Sequence, residues 1–563
     1  MREESVETTI HHPKRAARLG TPAPKSHSRR RFMSQVGLTE AAALATGASR
    51  RKFLRTNGRL FVPAFAIVAL VVTVSAWAQD GSRSHSWGQR YRAGRLVQQP
   101  ERHPLRHGGN SLARLRHWNE VAINASGLDH TPVAPGVIRV FGEQVGPGRS
   151  SRAMAIVHIA IFDSINAIVG GYQSYTGIHR VREETSLDSA IAKAAHHTLI
   201  ALFPSQAASV DQELVEDLSE IPEGPAKTNG INLGRRVAEA ILRLRENDGS
   251  QPAELRVGID FITSDQPGKW RQDPISLHPL ALGAHWGEVT PFVLRSADQF
   301  RVPVPPTLTS QAYTSDFREV QRLGGDGIVT PTERTVEQTQ IGIYWAYDGM
   351  PSLCAPPRLY NQIAMQIAEE QHTNNVLELA RLMALVNTAM ADAGTAIWES
   401  KYFYNYWRPV TGIREADLGT GPTGLGDGNP ETIGDLSFSP LGAPASNLSG
   451  PNFTPPFPAY PSGHAGFGGA LFQTLRNFYR TDRIAFTFVS DEFNGVTEDN
   501  HGNPRPLIPR SFTTLSEAEE ENGQSRIYLG IHWRFDKTEG ITQGRRVANY
   551  VFENAFRPVQ GDH

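Results

Sequence analysis

Cysteine is almost absent. Cys354 is the single one in 563 residues, which excludes an intramolecular disulfide framework. Neither sign of charge is in excess: the net charge of -1 gives no electrostatic reason to expect a nucleic-acid partner. Long apolar runs are missing apart from one at 60–77, so a protein built of several membrane spans is excluded. The histidines lack the carboxylate or cysteine spacings that grip zinc or paired metals, which argues against metal-assisted hydrolysis. No Gly-x-Ser-x-Gly elbow surrounds Ser462, so serine-nucleophile chemistry has no support. No internal repeat stands out, and strand patterns are limited to fragments. What remains is of globular composition, with 39% hydrophobic and 20% charged residues, and carries helical periodicity over most of its length.

The first 78 residues read as a targeting region. Ser49-Arg50-Arg51-Lys52-Phe53-Leu54-Arg55 resembles a twin-arginine export signal, the uncharged run at 60–77 follows, and Ala76-Trp77-Ala78 flanks a cleavage point before Gln79. An uncleaved anchor is the competing reading, because the run is near the length of a membrane span. The expectation is an exported protein, periplasmic or secreted, with no stable span once the signal is removed. Residues 79–112, rich in Arg, Gly, Ser and Gln, read as a flexible arm. Residues 113–340 then form an N-terminal helical half and 341–563 a C-terminal catalytic bundle. Periodicity places helices at 152–168, 187–203, 208–221, 230–245, 332–347, 357–370, 375–402, 465–478 and 537–556. His158 and Asp163 are embedded in the first of these, and the histidine reads as a satisfied core residue. Gly/Pro-rich loops fill 246–310 and 415–456, and the second is expected to wall the entrance of a site. The fold class expected is all-α, two packed helical bundles.

Three stretches carry chemistry. In Ser525-Arg526-Ile527-Tyr528-Leu529-Gly530-Ile531-His532-Trp533-Arg534-Phe535-Asp536, the arginine offers a planar fork of donors to a tetrahedral oxyanion. His532 offers a ring nitrogen, and Asp536, four residues on, shares its face if the segment is helical and can fix its tautomer. Lys401 and Arg408 in Lys401-Tyr402-Phe403-Tyr404-Asn405-Tyr406-Trp407-Arg408-Pro409 lie seven residues apart, two turns of helix, so both cations can point to one side. Pro461-Ser462-Gly463-His464 opens a helix, presenting backbone amides, a hydroxyl and the positive end of the helix dipole to an anion. His464 stands where it can exchange protons with whatever binds.

These three ordered blocks resemble the signature shared by vanadium-dependent haloperoxidases and the type 2 phosphatidic acid phosphatase superfamily. Upstream, Trp286-Gly287-Glu288-Val289-Thr290-Pro291-Phe292, Tyr344-Trp345-Ala346-Tyr347-Asp348-Gly349 and Pro357-Arg358-Leu359-Tyr360-Asn361-Gln362 resemble the haloperoxidase branch. The resemblance implies the vanadium chloroperoxidase/acid phosphatase type of helical fold, with vanadate as cofactor. His532 would bond the vanadate, while Lys401, Arg408, Ser462, Gly463, His464 and Arg526 hydrogen-bond it. Asp536, or a carbonyl in its place, would hold the other nitrogen of His532. His464 would remove or donate protons as hydrogen peroxide enters, and Lys401 would polarise the peroxide for attack by bromide or chloride, releasing hypohalous acid without haem or flavin. Asp348 resembles the family's acidic partner of an active-site arginine. Trp398 and Phe457 match positions that line the halide site in chloroperoxidase-like members, with ordinary packing as the alternative for both.

The partners implied are hydrogen peroxide, a halide and an organic acceptor; a homodimer stays open. The alternative activity is that of a secreted non-specific acid phosphatase, with His532 forming a phosphohistidine and His464 protonating the leaving alcohol, because vanadate resembles the transition state of phosphoryl transfer. A scavenging protein that binds phosphate or vanadate without turnover would use the same cations but would not need His464.

Overall fold

The computed structural model describes residues 110–559 except 132, 134–135, 349–352, 444–452 and 500–502. The targeting region expected at 1–78 and nearly all of the 79–112 arm lie outside the described residues. The end of that arm is already helical: the Asn110 side chain accepts the amides of Leu112 at 3.0 Å and Ala113 at 3.3 Å, starting α1 (Ser111–Asp129) seven residues before the periodicity becomes legible at Trp118.

The N-terminal half continues with α2 (Pro147–Val169), α3 (Leu187–Leu202), α4 (Ala207–Ser219) and α5 (Pro225–Leu244). α2 is apolar on nearly every side. Among the described residues it is the one helix long and apolar enough to cross a membrane, yet 83% of that apolar window is buried inside the protein, as suits a core helix. His158 lies buried in α2 with its Nε2 3.3 Å from the Asn361 amide nitrogen. Asp163 accepts the amides of Tyr175 and Thr176 and the hydroxyls of Ser174 and Thr176. Both are core residues, as their sequence context suggests.

Residues 246–310 form the expected irregular layer, with one short antiparallel pair, β1 (Leu255–Arg256) and β2 (Leu280–Ala281). Two helices follow. α6 (Gln311–Leu323) is absent from the sequence expectations, although Tyr313, Phe317 and Val320 mark its buried face at i, i+4 and i+7. α7 (Val336–Tyr344) starts at a Thr335/Gln338 capping box and not at 332: Asp326 Oδ1 gathers the amides of Ile328, Val329 and Thr330, folding the preceding stretch into a turn.

The C-terminal half contains α8 (Pro356–Glu370), α9 (Val376–Tyr404), α10 (Pro409–Arg414), α11 (Gly463–Tyr479), α12 (Leu515–Tyr528) and α13 (Arg534–Asn554). α9 is the longest, at 29 residues, capped by Asn375 and ended by Asn405 at φ 51°. It packs on α2 on one side and on α11 and α13 on the other, so a single hydrophobic core runs through both halves. An antiparallel hairpin, β3 (Phe486–Asn494) and β4 (Leu507–Phe512), interrupts the helices. It too goes beyond the sequence expectations, though Phe486 and Phe488 are buried and Thr487 between them is exposed, a period of two over a short run.

α11 and α13 touch backbone to backbone. A Cβ on Gly544 would lie 2.0 Å from the Gly466 carbonyl oxygen, closer than any side chain tolerates. This contact brings the two helix N-termini together, where the Ser462 amide donates to the Asp536 carbonyl at 2.9 Å.

Candidate active site

The chain between Arg526 and Asp536 is not one helix. α12 ends at Tyr528, and Gly530 adopts φ 72° while lying so close to Gly324 that a Cβ would sit 2.4 Å from its carbonyl oxygen. The chain reverses there, and Trp533 becomes the residue before α13. Asp536, in the first turn of that helix, reaches back: its Oδ2 accepts the Trp533 amide at 3.0 Å and lies 2.7 Å from His532 Nδ1. The His532–Asp536 pair is therefore the product of a helix start, not of a shared helical face. Lys401 and Arg408 likewise do not share a helix, because α9 ends between them and Arg408 leads into α10.

Tertiary structure brings these groups together nonetheless. Arg408 donates through Nε to the Phe457 carbonyl at 2.9 Å, and through Nη1 to the Ile531 carbonyl at 2.8 Å and to His532 Nε2 at 2.9 Å. Lys401 uses all three of its hydrogens on carbonyls of the turn before α11: Pro458 at 2.8 Å, Ala459 at 2.9 Å and Pro461 at 2.5 Å. Ser462 caps α11, with Gly463 and His464 as its first residues. The His464 carbonyl accepts from the Tyr360 hydroxyl and the Asn522 amide, both at 3.0 Å. Asn522 precedes Arg526 by one helical turn, a spacing that could have drawn attention to it. His464 Nε2 donates to the Ala346 carbonyl, which can only accept, so Nδ1 is its basic nitrogen. Arg526 Nη2 donates to both oxygens of Asp348 at 2.8 Å.

Lys401, Arg408 and Arg526 are each at most 1% exposed, against two buried carboxylates, Asp348 and Asp536. Burial, and then Arg408, hold the Lys401 ammonium well below its usual range; burial pushes Arg408 itself down to about 9. Both imidazoles are held well below their usual range: burial depresses them first, with Arg408 next for His532 and Arg526 next for His464. Burial also raises Asp536 to about 8. The placement of the proton in the His532–Asp536 pair follows from geometry: a guanidinium has donors only, so His532 Nε2, which faces Arg408, must carry its lone pair, and Nδ1–H donates to Asp536. That tautomer leaves Nε2 as the nucleophilic nitrogen.

Three guanidinium N–H groups, Arg408 Nη2 and Arg526 Nε and Nη1, are buried with no hydrogen-bond partner among the described residues. Buried donors of this kind are nearly always satisfied. Beside a neutral imidazole nitrogen and a helix N-terminus, they are what a tetrahedral oxyanion such as vanadate or phosphate would satisfy.

The groups border a cavity of about 440 Å³, whose walls include Asp348, Gly463, His464, Arg526 and His532. Trp398 and Phe457 line it too, with ring centroids 4.9 Å apart. Lys401, Arg408, Ser462 and Asp536 are not among its lining residues; Arg408 and Asp536 hydrogen-bond His532, and Ser462 precedes Gly463, both of which are. Trp398 Nε1 donates to the Leu282 carbonyl at 3.0 Å, and Lys401 Nζ lies 5.1 Å from the Phe457 ring centre. His130 and His278 also line the cavity, and nothing in their sequence neighbourhoods singles them out. Phe453, Pro455 and Pro456, at the end of the 415–456 loop, form part of its wall, where that loop was expected to be.

Residues 381–561 match a family model described as the VCPO second helical-bundle domain. The chain is 31% identical over 499 residues to vanadium chloroperoxidase of Curvularia inaequalis, an alignment covering 74% of this chain and 78% of that protein. The chain belongs to the vanadium haloperoxidase family. Two solved structures of bacterial vanadium haloperoxidases share the fold. One, a vanadium-dependent iodoperoxidase, has a TM-score of 0.61 at 23% identity, covering 79% of this chain and 98% of its own. The other, an apo-type vanadium-dependent chloroperoxidase, has a TM-score of 0.54 at 16% identity, covering 75% and 96%. In this chain the segment matched by the family model spans Lys401 through Asp536, whereas Asp348 lies upstream of it.

Proposed function

We propose that the chain holds vanadate and catalyses oxidation of bromide or chloride by hydrogen peroxide to hypohalous acid. The observation that carries this is the set of partnerless N–H groups on Arg408 and Arg526 beside the lone pair of His532 Nε2. His532 would hold the vanadate through Nε2 once Arg408 Nη1 gives up its hydrogen bond to that lone pair, the two arginines and the Gly463 amide would donate to its oxygens, and Ser462 would contribute its hydroxyl from the helix cap. Vanadate bound there supplies a Lewis acid already at its highest oxidation state, which polarises hydrogen peroxide toward attack by a halide.

The residues divide the remaining work. His464, whose basic nitrogen is Nδ1, takes the proton that peroxide loses on binding and returns it to the departing oxygen. Asp536 keeps the His532 proton on Nδ1, and Asp348 orients the Arg526 fork. Lys401 adds positive charge from behind the turn; to donate directly to peroxide it must release one of its three carbonyls. The balance is one halide, one hydrogen peroxide and one proton giving hypohalous acid and water, with two electrons passing from halide to peroxide. Export of the mature chain from about residue 79 remains part of the same proposal, supported by the leader alone.

A paired assay on full-length protein, stripped of metal and reloaded with orthovanadate, tests the activity. The expected result is bromination of a phenolic dye that needs vanadate, bromide and peroxide and is suppressed by phosphate. Hydrolysis of a chromogenic phosphate ester, inhibited by vanadate and without any bromination, would overturn it.

A further inference from the structure

His464 and Arg526 are oriented by one short segment between α7 and α8, and that segment is itself held from behind. Its Ala346 carbonyl accepts from His464 Nε2, and its Asp348 accepts from Arg526 at 2.8 Å. Tyr347, between them, has φ 42°, a left-handed backbone that a bulky side chain adopts only where its surroundings impose it. The surroundings are β3. Ser490 Oγ donates to the Tyr344 carbonyl at 2.6 Å, the Asp491 amide donates to the Tyr347 hydroxyl at 2.7 Å, and the Tyr347 amide donates to Glu492 Oε1 at 3.2 Å.

The hairpin is irregular at these same residues. Val489 pairs with Pro509 and Asn494 with Leu507, so five steps along β3 are matched by two along β4. There the alternation of Phe486 to Val489 gives way to an unbroken buried run from Ser490 to Asn494. Polar groups in such a run are unfavourable unless they are hydrogen-bonded, and Ser490, Asp491 and Glu492 all have bonds to the 344–348 segment or its side chains. Glu492 is fully buried, its Oε2 accepts from Arg505, and none of the three is among the cavity's lining residues. Its hold on the site is the most direct. The Tyr347 N–H and the Ala346 carbonyl belong to one planar peptide group, so the carboxylate that accepts the first fixes the direction of the second. Hydrogen bonds in such a chain also strengthen one another. Asp348 Oδ1, 3.9 Å from His464 Nε2, is taken by Arg526.

We propose that Glu492 is a positioning residue for His464: acting through the Ala346–Tyr347 peptide, it keeps the Nε2 proton on the Ala346 carbonyl and leaves Nδ1 for proton transfer. The effect on turnover rests on the haloperoxidase reading above; the effect on the imidazole does not.

Two double variants of the full-length protein test this, Glu492→Gln with Arg505→Leu and Glu492→Leu with Arg505→Leu. Both lack the buried ion pair, so stability that depends on it is lost from both, and only the glutamine keeps a side-chain oxygen for the Tyr347 amide. The first readout needs no vanadate. With histidine isotope-labelled for NMR, the buried Nε2–H of His464 gives a downfield imidazole signal, identified by its absence from His464→Gln. It is expected in the wild type and the glutamine variant, and shifted or lost in the leucine variant. The second readout is bromination per bound vanadium, expected to be about 10- to 100-fold lower in the leucine variant than in the glutamine variant, as for a misplaced general acid–base group. If the leucine variant does not fold, Glu492→Asp, which keeps the charge beside Arg505 but withdraws the oxygen by one methylene, takes its place against the wild type. An unchanged His464 signal in the variant without the acceptor, or no such signal in the wild type, overturns the positioning. Equal turnover per vanadium with an active wild type does the same. A wild type without vanadate-dependent bromination defeats the haloperoxidase reading, and the imidazole signal then decides the role of Glu492 by itself.

Discussion

Arg526 is where the oxyanion site is most open to a quantitative test. Its Nη2 is committed to both oxygens of Asp348 at 2.8 Å, while Nε and Nη1 are buried and partnerless among the described residues. Arg526→Lys keeps a positive charge but removes the planar fork. A hydrogen bond to a charged group contributes about 1.5–3 kcal/mol, so two such bonds from the fork would contribute about 3–6 kcal/mol to holding a vanadate ion. A lysine ammonium can replace about one of them. The expected net loss is about 1.5–3 kcal/mol, a Kd for vanadate about 10- to 150-fold weaker. The assay is calorimetric titration of orthovanadate into metal-free protein, which reads binding without turnover, with Tm measured alongside to separate weak binding from loss of fold. A Kd within about threefold of the wild type, in a protein of unchanged Tm, would mean that the two N–H groups do not face the anion, and the site as assembled here would be wrong.

Three further outcomes are expected. His532→Ala should lose both bound vanadium and bromination, whereas His464→Ala should retain part of the vanadium and lose most of the activity; elemental analysis beside the dye assay distinguishes them, and retained turnover in the first variant would sink the mechanism. His158 is pushed from 6.5 to about 3 by burial alone, so below pH 6.5 the unfolded chain takes up a proton that the folded chain refuses. Its contribution to stability is complete above about pH 6.5 and is lost as pH falls toward 3, by up to about 5 kcal/mol. His158→Gln should flatten that acid limb in denaturant titrations, and equal slopes in both proteins would refute the assignment. Gly544→Ala must push α11 away from α13, because its Cβ would lie 2.0 Å from the Gly466 oxygen. Overpacking of this kind costs about 1–3 kcal/mol, so Tm should fall, and vanadate affinity with it, since Ser462 and Asp536 sit at the end of that contact; an unchanged Tm would contradict the close approach.

Long periodic helices were legible because their signals are local. α2, α3, α8 and α9 show their buried faces and, in α9, the Asn375 cap within a single stretch of sequence. α6 and the β3–β4 hairpin were not legible because a short amphipathic signal among polar residues, or two phenylalanines alternating with Thr487 and Val489, is too brief to stand out beside loops. The site residues are legible in the sequence, and His532 does pair with Asp536, but neither that pair nor Lys401 and Arg408 converge through a shared helix. His532 reaches Asp536 because Asp536 folds back over the start of α13, and Arg408 reaches His532 because α9 stops at Asn405 and the chain turns. Contributions from His130, His278, Tyr360 and Asn522 depend on contacts between distant segments, and so does the lack of partners on three guanidinium N–H groups.

Lys401 ties the architecture to the chemistry. Its ammonium joins the last turn of α9 to the Pro458, Ala459 and Pro461 carbonyls, so it builds the turn from which Ser462, Gly463 and His464 project. Carbonyl dipoles satisfy its hydrogens but do not cancel its charge, and Arg408 and Arg526 add two more cations against the carboxylates of Asp348 and Asp536. An apolar residue at 401 would leave those three carbonyls without a donor, while burial first, and the neighbouring cations after it, depress both Lys401 and Arg408. An anion that binds the folded site and not the unfolded chain adds its binding free energy to the stability of the fold. If the proposed oxyanion binds beside these buried cations, the turn at 458–464 and that oxyanion are therefore thermodynamically linked.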